Sequence, residues 1–141
     1  MTTWDDYFML LARAAATKSK DPSTQVGAVI VGENNAVVGI GYNGPPRGTD
    51  DAATLKDRET RLLRTLHAEA NAIMFARGRG TALYTTMHPC AHCAALIIQA
   101  GIKRVVCPSV PPDFEERWWR SLHEARSMFK ESCVTLEAVE S

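Results

Sequence analysis

Two short stretches hold residue types that can do chemistry together: His67-Ala68-Glu69 and Pro89-Cys90-Ala91-His92-Cys93. Cys90 and Cys93 are three apart, so on a helix their sulfurs share a face. With His67 as a third donor they match the sulfur and imidazole ligands that zinc prefers. Three protein ligands leave the fourth tetrahedral position to water, which is the catalytic arrangement; zinc lowers the pKa of that water to about 7. A closed Cys2His2 site using His92 competes with this reading, but His92 lies between the cysteines and projects elsewhere on the helix. Positions two apart in mid-helix diverge by about 200°. In a first turn, His67 and Glu69 can instead both reach a point just ahead of the helix end. The metal is therefore expected off the N-termini of two helices, whose positive ends favour thiolates and a carboxylate. Glu69 in that place carries protons and is not a ligand.

The chain has 141 residues, 45% hydrophobic and 23% charged, which is the make-up of one globular domain over residues 1–141. Sixteen basic residues cancel sixteen acidic ones. Zero net charge argues against gripping long nucleic acid or an anionic membrane by bulk electrostatics. No apolar run approaches the ~18 residues needed to span a bilayer. Met1 to Asp6 has no basic or apolar segment of a secretory signal, so a cytoplasmic, reducing setting is expected. Cys107 and Cys133 stand alone in apolar stretches and read as core residues.

The elements that must position the motifs alternate in character, which predicts a layered α/β domain. Residues 4–19 read as a helix with Trp4, Phe8, Leu11, Ala12 and Ala15 on its apolar stripe, stopped by Asp21-Pro22. Val26 to Val31 and Ala36 to Gly41 read as a hairpin around Glu33-Asn34-Asn35. A glycine-rich loop follows, then a charged stretch from Leu55 to Leu66 with helical character. The His67 motif opens a helix over 66–76 capped by Gly78, and residues 82–86 form a strand. The cysteine motif opens a helix over 89–100, with Pro89 in its first turn and Gly101 at its end. A strand over 104–107, a helix from Asp113 with Glu116 as capping-box partner, and a strand over 134–139 complete the chain. That last helix carries Phe114, Trp118, Leu122, Ala125 and Phe129 on one face, leaving Trp119 off the stripe for a subunit interface. A helix between the last two strands makes them parallel.

H-x-E followed by P-C-x-x-C is the known signature of zinc nucleobase deaminases. Beyond it, Asp21-Pro22-Ser23-Thr24-Gln25-Val26-Gly27-Ala28, Gly39-Ile40-Gly41-Tyr42-Asn43-Gly44, Asp50-Asp51, Ala70-Asn71-Ala72-Ile73 and Leu96 to Ile102 resemble the deoxycytidylate (dCMP) deaminase family over most of residues 18–107. The resemblance implies a three-layer α/β/α cytidine deaminase-like fold with a five-stranded mixed sheet. It implies hydrolysis of dCMP to dUMP and ammonia, with Glu69 moving protons among the water, the ring nitrogen and the departing amine. It implies that Asn43 bonds the sugar and that Ala68 and Thr86 contact the base edge. Arg47 is the phosphate candidate in the loop, with Lys18 and Lys20 as others. Family members bind dCTP or dTTP effectors with Mg2+, which here would fall on Tyr42, Asp50 and Asp51, and they form homo-oligomers from dimers to hexamers.

Thr49 stands where the family often has cysteine, and Leu62 to Leu66 replaces an often aromatic approach to His67. No cysteine or histidine precedes His67, so the expectation is one Zn2+ per chain. Other readings are a deaminase of dCTP, CMP or a 5-substituted dCMP, a tRNA or purine deaminase, and a non-enzymatic zinc module. Guanine and tRNA adenosine deaminases favour an acid before Pro-Cys, where this chain has His88. A polynucleotide editor would want a basic groove, but Arg58, Arg61, Arg64, Arg77, Arg79 and Arg104 lie among acids and suit a nucleotide phosphate pocket as well.

Overall fold

A computed structural model describes residues 1–140. Five strands form one mixed sheet in the order β2-β1-β3-β4-β5. They are β1 (Gly27–Val31), β2 (Val37–Tyr42), β3 (Ala82–Thr85), β4 (Arg104–Pro108) and β5 (Thr135–Val139). β1 runs antiparallel to both β2 and β3, whereas β3, β4 and β5 are mutually parallel, as expected for the last pair. The helices are α1 (Trp4–Ala16), α2 (Asp51–Leu55), α3 (Arg58–Arg64), α4 (Ala68–Ala76), α5 (Ala91–Gln99), α6 (Pro112–Arg117) and α7 (Trp119–Glu131). Among the described residues, no helix is long and apolar enough to cross a membrane.

Two apolar clusters define three layers. On one face, Phe8, Met9 and Ala12 of α1 pack on Val29, Val31, Tyr84 and Val106. On the other, α4, α5 and α7 bring Ala68, Ala72, Ala94, Ile97, Ala125 and Phe129 onto Ala28, Ile30, Leu83 and Val105. The period of two along β1 sends alternate residues to each cluster, so all five are buried and the strand reads as a continuous apolar run.

The fit of α4 on β2 sets where the His67 motif lies. A Cβ on Gly39 would come within 2.4 Å of the Ala72 carbonyl oxygen, and one on Gly41 within 2.4 Å of the Ala68 carbonyl oxygen. Two bare glycines facing the alanine row of α4 therefore let backbone approach backbone. On the opposite face Arg104 clamps α1 to the sheet. Its guanidinium bonds both carboxylate oxygens of Asp5 and both of Glu137, and the Tyr84 hydroxyl donates to Asp5 at 2.6 Å.

Several local expectations are corrected. α1 ends at Ala16, before Asp21-Pro22, because Thr17 folds its hydroxyl onto the Ala14 carbonyl. Trp4 is 58% exposed and stacks on Phe8 instead of entering the core. The charged stretch from Leu55 to Leu66 is helical only over α3, capped by Asp57, and a separate helix α2, capped by Asp50, precedes it. Arg77, not Gly78, is the first left-handed residue after α4. Pro89 precedes the N-cap of α5 and lies outside its first turn. The last helix starts at Pro112 with no capping side chain and breaks at Trp118, where φ is −114° and ψ is 19°. Cys133 is exposed, since it occupies a left-handed turn after α7. Cys107 is buried, as expected.

Gly41→Ala is expected to cost about 1–3 kcal/mol through overpacking against α4, read as a lowered denaturant midpoint; an unchanged midpoint would refute the close-approach argument. A second expectation concerns pH. Arg104 holds the Asp5 and Glu137 carboxyls below their usual values. Depressed folded-state values stabilise the fold above the unfolded pKa of about 4 and lose that contribution as pH falls through the folded values. The melting temperature of the wild type should therefore drop more steeply below about pH 4 than that of Arg104→Gln. Parallel curves would mean that the clamp adds nothing.

Candidate active site

His67 is the N-cap of α4 and Cys90 the N-cap of α5, so both motifs sit at helix starts. The Cys90 sulfur accepts from the Cys93 backbone N–H at 3.5 Å, which folds the two cysteines onto one turn. From α7, Ser121 accepts the Ala91 N–H at 2.9 Å and braces the same turn. The His67 Nδ1 lies 3.2 Å from the Cys93 sulfur and 3.6 Å from the Cys90 sulfur. The three ligand atoms lie within 4.8 Å of one another. Edges of a tetrahedral zinc site with sulfur and nitrogen ligands are about 3.6–3.8 Å, so the triangle fits the ion after small adjustments. His92 is exposed on the far side of the turn and is not in the cluster, as expected.

Left to themselves, the two thiols share a proton unequally. The hydrogen bond from Cys93, helped by His67 and a backbone N–H and opposed by burial, lowers Cys90 to about 4. The same bond pushes Cys93 up. The hydrogen bond to Cys90 raises His67. A divalent cation at this point draws both thiols to thiolates. Two residues into α4, Glu69 is 5% exposed, and burial pushes its carboxyl up. A carboxyl so placed holds its proton more readily than a solvated one and can exchange it with a group at short range.

These groups open onto a cavity of about 640 Å³, the size range of small-ligand sites. Of the sequence candidates, Asn43, His67, Ala68, Glu69 and Cys90 line it, with Cys93 buried behind them. The Asn43 amide accepts from the Val26 N–H at 2.8 Å and donates to the Thr24 carbonyl at 2.9 Å, so it also ties down the 24–26 loop. Thr86, just after β3, accepts the Gly27 N–H and is not in the lining. Arg47, Tyr42, Asp50 and Asp51 lie outside the cavity as well. Asp50 caps α2, and Asp51 pairs with Lys20 at 2.8 Å.

Sequence reasoning missed much of the outer wall. Phe114 and Trp118, assigned to the core stripe of one long helix, border the cavity because the helix breaks at Trp118. Arg117 and Met87 join them, while His88 forms a partition between this cavity and a smaller one of about 290 Å³. Pro111-Pro112 marks only where α6 begins; no local signal marks the break at Trp118.

A metal triangle at two abutting helix starts, with a buried carboxyl beside it on a mixed five-stranded sheet, defines a deaminase-type zinc centre. A model of the cytidine and deoxycytidylate deaminase zinc-binding region matches residues 2–109. An uncharacterized deaminase from the luxG 3′ region of Aliivibrio fischeri is 43% identical over 136 residues, covering 95% of this chain and 92% of that protein. The deoxycytidylate deaminase of Homo sapiens is 46% identical over 112 residues, covering 73% of this chain and 63% of that one. The dCMP deaminase of cyanophage S-TIM5, solved with dCMP and dUMP, superposes with a TM-score of 0.72 at 23% identity, covering 95% of both chains, and so shares the fold. The chain belongs to the cytidine and deoxycytidylate deaminase family. It spans about three-fifths of the length of the human relative.

Metal content tests the centre. The purified wild type should hold about one zinc per chain, and His67→Ala and Cys93→Ser less than about a tenth of that, since three ligands are the minimum for a tight site. A count near two after removal of loosely held ions, or full retention by both variants, would contradict the assignment.

Proposed function

We propose that this chain hydrolyses the exocyclic amine of dCMP, giving dUMP and ammonia for thymidylate supply. The observation that carries the reading is a buried Glu69 adjoining the His67, Cys90 and Cys93 triangle at the wall of a nucleotide-sized cavity. Relatives of about 46% identity that are named deoxycytidylate deaminases support the choice of base and sugar.

Bound zinc supplies a water that is acidic near neutral pH. The protein's own groups do the rest. Glu69 takes a proton from the water and passes it to the ring nitrogen beside the attacked carbon, while oxygen bonds to that carbon. It then takes the second proton, from the hydroxyl now on that carbon, and delivers it to the amine as the carbonyl forms, the carbon–nitrogen bond breaks and ammonia leaves. Burial favours the protonated carboxyl, so Glu69 is ready to hold a proton between these transfers. The positive ends of α4 and α5 stabilise the thiolates and the carboxylate. Asn43 keeps one amide proton beyond its bond to Thr24, and we assign that proton to the sugar. We assign the base edge to the Ala68 backbone and the turn around Thr86.

The same proposal has the chain act in the cytoplasm, where thiolate ligands stay reduced, as a homo-oligomer with Trp119 at a contact. Its regulation would come from dCTP or dTTP with Mg2+ near Tyr42, Asp50 and Asp51.

The test is a panel of dCMP, dCTP, CMP, deoxycytidine and cytosine, with and without dCTP or dTTP. The expected outcome is ammonia release fastest from dCMP. Glu69→Gln should fold, retain zinc and lose about 10²–10⁴-fold in kcat. A wild type that releases ammonia from none of the five would refute the reading.

A further inference from the structure

We infer that Arg58, Arg61 and Arg117 form the subsite for the substrate's 5′-phosphate, and that their charge selects a phosphate monoester over a nucleoside or a triphosphate. The inference rests on the deamination reading for the identity of the base, but the anion site stands on its own geometry. α3 sends Arg58 and Arg61, and α6 sends Arg117, into the lining of the cavity that holds the metal centre.

Two arginines outside this cavity have their charge spent. Arg104 is saturated by Asp5 and Glu137, and Arg126 by Glu115 in the smaller cavity. Among the described residues, neither Arg58 nor Arg117 pairs with a carboxylate. Arg61 is aimed by a bond to the Ser23 hydroxyl at 3.0 Å and by Asp21 at 3.8 Å. Asp21 is itself fixed by the Ser23 and Thr24 N–H groups. Arg117 lies over the Phe114 ring, 5.9 Å from its centre. Two of the three guanidinium groups are therefore held in place before any ligand arrives, which reduces the entropy lost on binding.

Away from the metal centre, the lining carries these three arginines against one aspartate, a surplus of two positive charges. A phosphate monoester carries about −1.5 to −2 at pH 7, so it nearly neutralises the surplus. A nucleoside leaves it uncompensated, and a triphosphate overfills it. The planar guanidinium also suits the bidentate geometry of phosphate oxygens. Lys20, a candidate from sequence, is paired with Asp51 outside this lining.

The experiment compares zinc-loaded wild type with Arg58→Ala, Arg117→Ala and the exposed control Arg120→Ala. Steady-state rates are measured with dCMP, deoxycytidine, dCTP and a cytosine-bearing oligodeoxynucleotide. Calorimetry measures binding of dUMP against deoxyuridine. Loss of one charged contact should raise KM for dCMP about ten- to hundredfold in each cavity variant. kcat/KM for deoxycytidine should stay unchanged, and Arg120→Ala should behave as wild type. Equal losses on dCMP and deoxycytidine, or no loss on dCMP, would overturn the subsite. Faster turnover of dCTP or of the oligonucleotide than of dCMP would overturn the choice of a monoester. If the wild type deaminates nothing, the deamination reading falls and calorimetry decides the subsite. Tighter binding of dUMP than of deoxyuridine, lost in both cavity variants, supports it; equal or absent binding overturns it.

Discussion

Two helix N-termini brought to one point are the constraint on which the rest of this molecule depends. His67 caps α4 and Cys90 caps α5, so the partial positive charge of both helix starts falls on the ligand triangle. Thiolates and a buried carboxyl are costly to gather in an apolar interior. Here helix ends and a metal ion offset that cost. The convergence needs α4 to lie unusually close to β2, which Gly39 and Gly41 permit. It also needs the cysteine turn held from above, which Ser121 does through the Ala91 N–H.

The two faces of the sheet divide the labour. α1, clamped by the Arg104 cluster, closes the face remote from the chemistry and makes β1 and β3 a rigid floor. The other face carries the three helices that build the centre. The outer cavity wall comes from short pieces, α3 and α6, appended to this frame. Such pieces can vary in side chains without disturbing the metal, so they are the natural place for substrate choice. The same logic explains why Arg58 and Arg117 occur there without carboxylate partners while Arg104, beneath the sheet, is paired.

The metal ligands and Glu69 were legible because their spacing lies within single helical turns, where geometry follows from the chain itself. The parallel last pair was legible because a helix between two strands makes a crossover connection; the order of strands across the sheet was not. Trp4 and Cys133 were misread because burial depends on what covers a residue, and pattern alone says only that a residue would tolerate cover. Trp118 was misread because one apolar stripe ran across a break that local propensity did not reveal.

By itself, the sequence determined the groups that meet at the site: an imidazole, two thiols and a carboxyl at helix starts, on an α/β frame. Tertiary structure alone decided which residues build the outer wall of the cavity. Arg61 meets Ser23 across 38 positions of sequence, and Arg117 joins the same cavity from the far side of β4 in the chain. Contacts of that kind depend on how whole layers pack, and local spacing carries no record of them.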